Sequence, residues 1–348
     1  MSDLLKFDPF SRRQDEELLS ELNDLTRHHL AGCAEYARLW PGWRAAESIE
    51  DLPFLHVGLF KRLALKTEAA GILHQRTLTS SSTTGTAPSQ VVLDDCSSAL
   101  QSKSVHAIHQ AWLGGPARPL LILDETNALR QRGLVSARLA AALSLQPLAS
   151  ETHFILEDVH RPGSVRWELV CEVLNRNPWV MLYGPTWGLW QSWVDQKAPP
   201  EAAALLRTKR IDYVHSGGWK KLEEIKVDRR QFDSKLLEKA SADSSVIDYY
   251  GLSEQVGLLF PLCDQGRRHA PVWSEVIVRD IYTLLPVIGQ PGLLQFLNPL
   301  AWGAPYHSIL TEDLGKRLPG DCPCGRPGRH FELLGRVPRA DIRGCANV

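Results

Sequence analysis

Apolar residues recur at helical spacing near the start of the chain. Leu18, Leu19, Leu22, Leu25, Leu30 and Tyr36 alternate with charged positions and predict a helix over residues 14–40. Pro41 and Gly42 then break it. The middle of the chain switches between two patterns. "RPLLILD", "ETHFILED", "WVMLYGPT", "IDYVHSGGW" and the start of "SVIDYYGLSEQVG" read as short buried strands ending in polar or glycine turns. "VSARLAAALSL", "VRWELVCEVL" and "WGLWQSWV" read as helices between them. This alternation predicts an α/β fold with largely parallel sheets, whose ligands bind where polar loops leave the carboxyl ends of strands. The last third changes character. "HAPVWSEVIVRD", "GLLQFLNPL" and "HSILTEDLG" are short strands with turns, which predicts a β-rich subdomain.

Composition adds limits. The chain has 348 residues, 44% hydrophobic and 23% charged, enough for a sizeable core. A formal net charge of -1 gives no electrostatic case for nucleic acid. No apolar run has the length of a signal peptide or a membrane span, so the chain reads as cytoplasmic. Seven cysteines in a reducing compartment then point to metal, catalysis or core packing rather than disulfides.

Several turns carry groups suited to chemistry. "TSSSTTGTAPS", Thr79 to Ser89, offers hydroxyl and backbone N–H donors to a polyphosphate, although it lacks the Gly-Lys-Ser/Thr ending of a Walker loop. The same stretch also reads as a flexible linker. In "DYYGLSEQVG", Ser253 and Glu254 set a hydroxyl beside a carboxylate, a pair able to hold a phosphate oxygen and Mg²⁺. The plainer reading is a strand-to-helix turn with an N-cap serine. In "VHSGGWKKL", Gly217 and Gly218 permit close approach of a flat ligand, with Trp219 as a wall and Lys220 as a phosphate partner. The plainer reading there is a glycine turn before an amphipathic helix. Asp313 in "ILTEDLG" suits a pair of ribose hydroxyls, and Arg336 follows in "LLGRVPR".

Taken in order, these stretches resemble the motifs of adenylate-forming enzymes. "HSGGWKK", "YYGLSEQ", "HAPVWSEVIVRD", "ILTEDLG" and the final "RGC" are similar, more specifically, to the LuxE family of acyl-protein synthetases, relatives of the phenylacetate-CoA ligases. The resemblance runs from about Leu52 to the end. It implies residues 1–50 as an N-terminal helical segment, 51–334 as an adenylate-forming core of parallel sheets plus a β-rich subdomain, and 335–348 as a short tail. It implies that a carboxylic acid, of fatty type, reacts with ATP to give an acyl-adenylate. By resemblance Thr83, Thr84, Gly85 and Thr86 hold the phosphates. Gly217, Gly218 and Tyr250 flank the adenine, Ser253 contacts the α-phosphate, Glu254 binds Mg²⁺, and Asp313 holds the ribose with Arg336 nearby. Two departures stand out. Pro88 is followed by Ser89 where the superfamily has lysine, and the superfamily's mobile lid, with its catalytic lysine, has no counterpart. Lys220 and Arg336 are the candidates for the missing cation.

The cysteines divide into two groups. Cys263, His269, Cys322 and Cys324 match a Cys₃His set for structural zinc, with a C-x-C spacing tighter than that of usual fingers. The phenylacetate-CoA ligase branch has a similar pattern. The other reading is core thiols plus a surface histidine. Cys33, Cys96 and Cys171 read as core fillers. Cys345 lies near Arg339 and Arg343, which favour a thiolate. The LuxE resemblance implies that it accepts the acyl group as a thioester for delivery to an acyl reductase. A second reading gives the acyl or aryl group to coenzyme A or a carrier protein. A third is a non-catalytic nucleotide- and zinc-binding scaffold. Trp179, Tyr183, Trp187, Trp190 and Trp193 read as core, with one or two lining an acyl channel.

Overall fold

The computed structural model describes residues 2–80, 88–126, 134–219 and 224–337. The buried runs of the middle region assemble one six-stranded sheet. Its order is Phe260–Pro261, Ser245–Tyr250, Arg210–Ser216, Trp179–Pro185, Arg118–Ile122 and Ala149–Phe154. All neighbours run parallel except Phe260–Pro261. Alternation along the strands supplies two cores. Leu121, Leu123, Val180, Leu182, Ile211 and Tyr213 face the layer containing helix Trp167–Arg176. Leu120, Ile122, Met181, Tyr183 and Val214 face the layer containing Leu139, Leu145 and Leu148. Burial on both faces explains why these strands read as continuous apolar runs rather than alternating ones.

The last third forms a second sheet. Arg268–His269, His330–Arg336, Ser308–Arg317, Pro291–Leu297, Glu275–Arg279 and Pro286–Val287 are neighbours in that order and antiparallel. Leu55–His56 joins Ser308–Arg317 in parallel. A three-stranded sheet has His74–Thr79 at its centre, between Gln90–Asp94 and Leu134–Ser136. The N-terminal Leu4, Leu18 and Leu22 share a core with Phe296 and Phe331 of the second sheet and with Trp273 just before it. Among the described residues, no helix is long and apolar enough to cross a membrane.

Three local expectations change. The helix predicted over 14–40 is two helices, Asp15–Gly32 and Ala34–Leu39, broken at Cys33. The Gly32 carbonyl accepts from the Glu68 N–H at 2.9 Å instead of continuing the helix. A side chain at 32 would meet Thr67 and the Glu68 backbone at 2.7–2.8 Å. The helix predicted in "VSARLAAALSL" begins only at Ala137, because Leu134–Ser136 pairs with Thr77–Thr79. "WGLWQSWV" is helical as expected, but from Leu189 to Val194 it is wound as a π-helix, with the Asp195 N–H reaching back five residues to the Trp190 carbonyl at 2.9 Å.

Most of the tryptophans are structural. Trp193 is buried against Trp167, and Trp190 packs on Trp219 and Phe232. Trp219 is therefore part of the core rather than a wall facing ligand. Trp179 lies between the guanidinium groups of Arg118 and Arg210, at 4.1 and 3.8 Å from its ring. Its indole N–H donates to Asp212 at 2.8 Å, and Asp212 also pairs with Arg118 at 2.6 Å. This set locks the amino ends of three neighbouring strands.

Buried histidines fix helix Asp15–Gly32 to the segment before strand Ser308–Arg317. His29 shares a hydrogen bond with Thr67 at 2.7 Å and another with the Ala301 carbonyl at 2.8 Å. His307 stacks on His29 at 4.8 Å and shares a hydrogen bond with Thr26 at 3.0 Å. Burial pushes His307 down to about 3 and His29 well below its usual range, with neighbouring histidines adding to both. His109 is likewise pushed down to about 3 by burial. These groups are neutral when folded and take up protons when unfolded, below about pH 6.5. Stability should therefore be complete above that pH and fall as pH drops toward the folded values. The expected slope is about 1.4 kcal/mol per pH unit for each such histidine. Urea denaturation at pH 7.5, 6 and 5 checks this. A flat stability between pH 7 and 5 would refute it, and His307→Phe should shallow the slope.

Candidate active site

The site forms where the carboxyl ends of the parallel strands meet the second sheet. Strand Arg210–Ser216 leads into Gly217 and Gly218, and its neighbour Ser245–Tyr250 ends beside it, with Ser216 opposite Tyr249. Gly217 has φ +84°, which favours glycine. A Cβ at either glycine would meet nothing within 4 Å, so this turn leaves room for a flat ligand. Thr186 holds the turn. Its hydroxyl donates to the Gly217 carbonyl at 2.8 Å and lies 3.0 Å from His215 Nδ1.

Tyr250 closes the junction between the sheets. Its hydroxyl donates to Asp313 Oδ2 at 2.6 Å. Arg336, opposite Asp313 on the adjacent strand, donates from Nε to Oδ1 at 3.0 Å. Asp313 is buried, whereas the Arg336 side chain is 68% exposed. An exposed partner contributes about 0–1 kcal/mol, against about 1.5–3 kcal/mol for a hydrogen bond to a charged group. Tyr250 therefore fixes Asp313, and Arg336 stays free to reorient. Burial holds the Tyr250 phenol well above its usual range, and the Asp313 charge adds to this, so it remains a donor. The Asp313 N–H also donates to Thr311 Oγ1 at 3.1 Å, and Thr311 donates to the Leu294 carbonyl at 2.8 Å.

Glu254 sits in the turn after Tyr250. This turn leads to the short strand Phe260–Pro261, not to a helix. Gln255 fixes it from inside. The Gln255 amide donates to the Tyr306 carbonyl at 2.6 Å and accepts from Asn298 at 2.8 Å. Gly257 has φ +90° and backs onto Gln101, where a Cβ would approach to 2.7 Å. The Glu254 carboxylate is buried, which raises its pKa; a hydrogen bond from Ser89 and the charges of Lys61 and Arg336 oppose that rise. Ser253, next to it, is half-buried. Ser89 ends the Ser/Thr/Gly stretch, and its N–H and carbonyl pair with Ser80 across the base of that stretch at 2.9 and 3.1 Å. The two ends of Thr79–Ser89 are thus pinned beside Glu254.

Thr83, Thr84, Gly85, Thr86, Lys220 and Cys345 lie outside the described residues. Tyr250, Asp313 and Arg336 are in direct contact, the Arg336 charge reaches Glu254, Ser253 adjoins Glu254, and Gly217 and Gly218 follow the strand beside that of Tyr250. Sequence reasoning did not single out Lys61, Thr186 or Thr311. The Thr-x-Asp spacing carried a signal for Thr311. Lys61 and Thr186 come from distant segments, and no local pattern marks them.

A second cluster lies behind the site. The ligating atoms of Cys263, His269, Cys322 and Cys324 all fall within 4.8 Å of one another. Cys263 Sγ and Cys322 Sγ are 3.8 Å apart, and Cys324 Sγ is 3.3 Å from His269 Nε2. Both cysteine turns are tight. The Gly266 N–H bonds the Cys263 carbonyl, the Gly325 N–H bonds the Cys322 carbonyl, and both glycines have positive φ. Of the remaining cysteines, Cys33 is buried in the core, while Cys96 and Cys171 are half-buried.

A family model described as "Acyl-protein synthetase, LuxE" matches residues 4–348. The chain is 29% identical to the long-chain-fatty-acid–luciferin-component ligase of Vibrio harveyi over 138 residues, 38% of this chain and 35% of that protein. It is 28% identical to the ligase of the same name from Aliivibrio fischeri over 140 residues, 39% of this chain and 36% of that one. The aligned stretch thus spans about a third of each relative's own length. Among solved structures, an open 2-hydroxyisobutyryl-CoA ligase in complex with 2-HIB-AMP and CoA superposes with a TM-score of 0.63 at 14% identity. That superposition covers 94% of this chain and 76% of the other. The same enzyme in its thioesterification state gives 0.60 at 15% identity, covering 93% and 68%. The fold is therefore that of the adenylate-forming ligases, and with the family model matching nearly the whole length, the chain belongs to the LuxE family of acyl-protein synthetases.

Proposed function

We propose that this chain activates a carboxylic acid with ATP to an acyl-adenylate and passes the acyl group to a thiol, Cys345, for delivery to an acyl reductase. The convergence of Tyr250, Asp313, Arg336 and Glu254 beside the open glycine turn carries this reading. The names of the two bacterial relatives support a long-chain fatty acid as substrate.

The residues divide the work by chemistry. Asp313 is a buried acceptor with one oxygen bonded to the exposed Arg336, a fit for vicinal ribose hydroxyls. The glycine turn leaves open space for the adenine. Glu254 is a buried carboxylate beside the pinned ends of the Thr79–Ser89 stretch, and this oxygen donor suits Mg²⁺. When bound, the ion neutralises phosphate charge and favours the ionised Glu254. In the first step a substrate carboxylate oxygen bonds to the α-phosphorus and pyrophosphate leaves. Arg336 and Lys61 are the described cations near enough to act on Glu254, and Lys220 remains a proposed contributor. In the second step the Cys345 thiolate bonds to the acyl carbonyl carbon and AMP leaves with the bonding electron pair. Catalysis here is positioning and charge neutralisation rather than proton transfer.

Zinc fits the rear cluster. Bond lengths of about 2.3 Å to sulfur and 2.0–2.1 Å to nitrogen in a tetrahedron place two sulfurs about 3.8 Å apart and sulfur and nitrogen about 3.6 Å apart. The observed 3.8 and 3.3 Å lie close to those values. Cys263 follows the strand paired with Tyr249 and Tyr250, while Cys322 and Cys324 precede the strand bearing Arg336. The metal's proposed role is to staple these two segments.

Two measurements follow. After incubation with ATP, Mg²⁺ and a long-chain fatty acid, intact-mass spectrometry should show one acyl group added, labile to hydroxylamine and abolished by Cys345→Ser. Acyl transfer to coenzyme A or a carrier protein without self-acylation would move the acceptor elsewhere. Elemental analysis of untagged protein should give one zinc per chain, and Cys322→Ser should lower the melting temperature by about 5 °C or more. Protein without zinc and with unchanged melting on Cys322→Ser would reject the metal.

A further inference from the structure

Far from the proposed active site, the sheet edge carries an unusual hairpin. Glu275–Arg279 and Pro286–Val287 pair through only two residues, Val278 with Val287 and Arg279 with Pro286. The turn between them exposes Tyr282 by 88%, Leu285 by 64% and Ile281 by 47%, and Ile288 just beyond is 55% exposed. No charged residue occurs from Ile281 to Gln290. The one nearby carboxylate, Asp280, is used internally, accepting from the N–H groups of Tyr282 and Thr283 and from the Thr283 hydroxyl. Leu284 has φ +58°, and among the described residues it is the only non-glycine with positive φ. The position where glycine is least strained thus holds a large apolar side chain. Its carbonyl accepts from Arg279 at 2.9 Å, so the tip has a defined shape.

Ile288 also lines a cleft of about 210 Å³ with Arg317, Arg329, Gly320 and Gly328. Arg329 has partners. It donates to Glu275 at 3.4 Å and lies 3.9 Å from Asp15. Glu275 is itself paired with Arg13. Arg317 is different. It is half-buried, and among the described residues its guanidinium makes no hydrogen bond or ion pair. Glu50 and Glu275 act on it favourably through charge, Arg329 and Arg13 unfavourably. A guanidinium does not give up its proton in a protein, so a half-buried one without a partner suits an incoming anion.

We propose that this hairpin and cleft form a docking face for the surface of an anionic phospholipid bilayer, with a lipid phosphate in the Arg317–Arg329 cleft and the hairpin tip at the acyl boundary. Two independent features meet at Ile288, which belongs to both the apolar tip and the cationic cleft. A free phosphate would engage the arginines but leave the apolar tip unexplained. A lipid surface matches both in one geometry, with tyrosine at the polar–apolar boundary and arginine at headgroup level. The inference does not depend on which reaction the enzyme performs.

Cosedimentation of the full-length protein with vesicles tests it. Two compositions are compared, phosphatidylcholine alone and phosphatidylcholine with phosphatidylglycerol at two to one. Saturable binding is expected to the anionic vesicles and to weaken with added salt, with little binding to neutral ones. Arg317→Gln should weaken binding about fivefold, the effect of one basic residue at such a surface, and Arg317→Lys should retain most of it. Leu285→Asp should weaken it by more than about tenfold. Leu285 is exposed and Arg317 half-buried, and unchanged melting curves verify folding of each variant. No binding to either vesicle, equal binding to both, or binding that neither substitution weakens would overturn the proposal. So would stabilisation by inorganic phosphate that Arg317→Gln removes, in the absence of vesicle binding, because the cleft would then serve a soluble anion.

Discussion

The hydrogen bond from Tyr250 to Asp313 joins the carboxyl end of a parallel strand to the middle of strand Ser308–Arg317 in the second sheet. On one side the parallel sheet delivers the glycine turn and the Glu254 turn. On the other the antiparallel sheet delivers Asp313 and Arg336 in register. The bond also sets which partner is rigid. A buried tyrosine fixes the carboxylate, while the exposed arginine keeps its freedom. Behind it, Phe260, Phe296 and Phe331 pack around the Tyr250 ring with centroids 5.7 to 6.4 Å away, so the phenol cannot swing without disturbing the core.

The same junction explains where the buried polar groups lie. Gln255 and Asn298 form a buried chain to the Tyr306 carbonyl that shapes the Glu254 turn. Thr311 shapes the Asp313 backbone, and Thr186 shapes the glycine turn. Each is an uncharged side chain that satisfies backbone groups next to a proposed ligand contact. Buried hydrogen bonds of this kind hold first contacts in place without competing with ligand for charge. The cysteine–histidine cluster extends the frame backward by holding the segments that lead to Tyr250 and Arg336 near each other.

Much of this frame was legible in the sequence. Strands Arg118–Ile122, Trp179–Pro185 and Arg210–Ser216 announce themselves because both faces are buried, and a buried run bounded by turns has few other readings. The break at Cys33 was hidden, since it depends on the Glu68 N–H taking the Gly32 carbonyl, a contact between segments remote in sequence. The strand Leu134–Ser136 was hidden for the same reason: alanine and leucine spacing signals helix, and only pairing with Thr77–Thr79 overrides it. At the site, Tyr250, Glu254, Asp313 and Arg336 were legible through the order of their motifs. Lys61 and Thr186 were not, because their relation to Glu254 and Gly217 exists only in three dimensions. The hairpin at Ile281–Ile288 falls in a turn between two predicted strands, and its exposure in the fold marks it as different from the other turns.

The central claim is that these groups form an acid-activating nucleotide site that works before any thiol is engaged. Exchange of labelled pyrophosphate into ATP tests it most directly. The account predicts exchange that requires a long-chain fatty acid, persists in Cys345→Ser, and falls at least about a hundredfold in Glu254→Gln. Exchange that is absent with every acid, or that proceeds without acid, would contradict it.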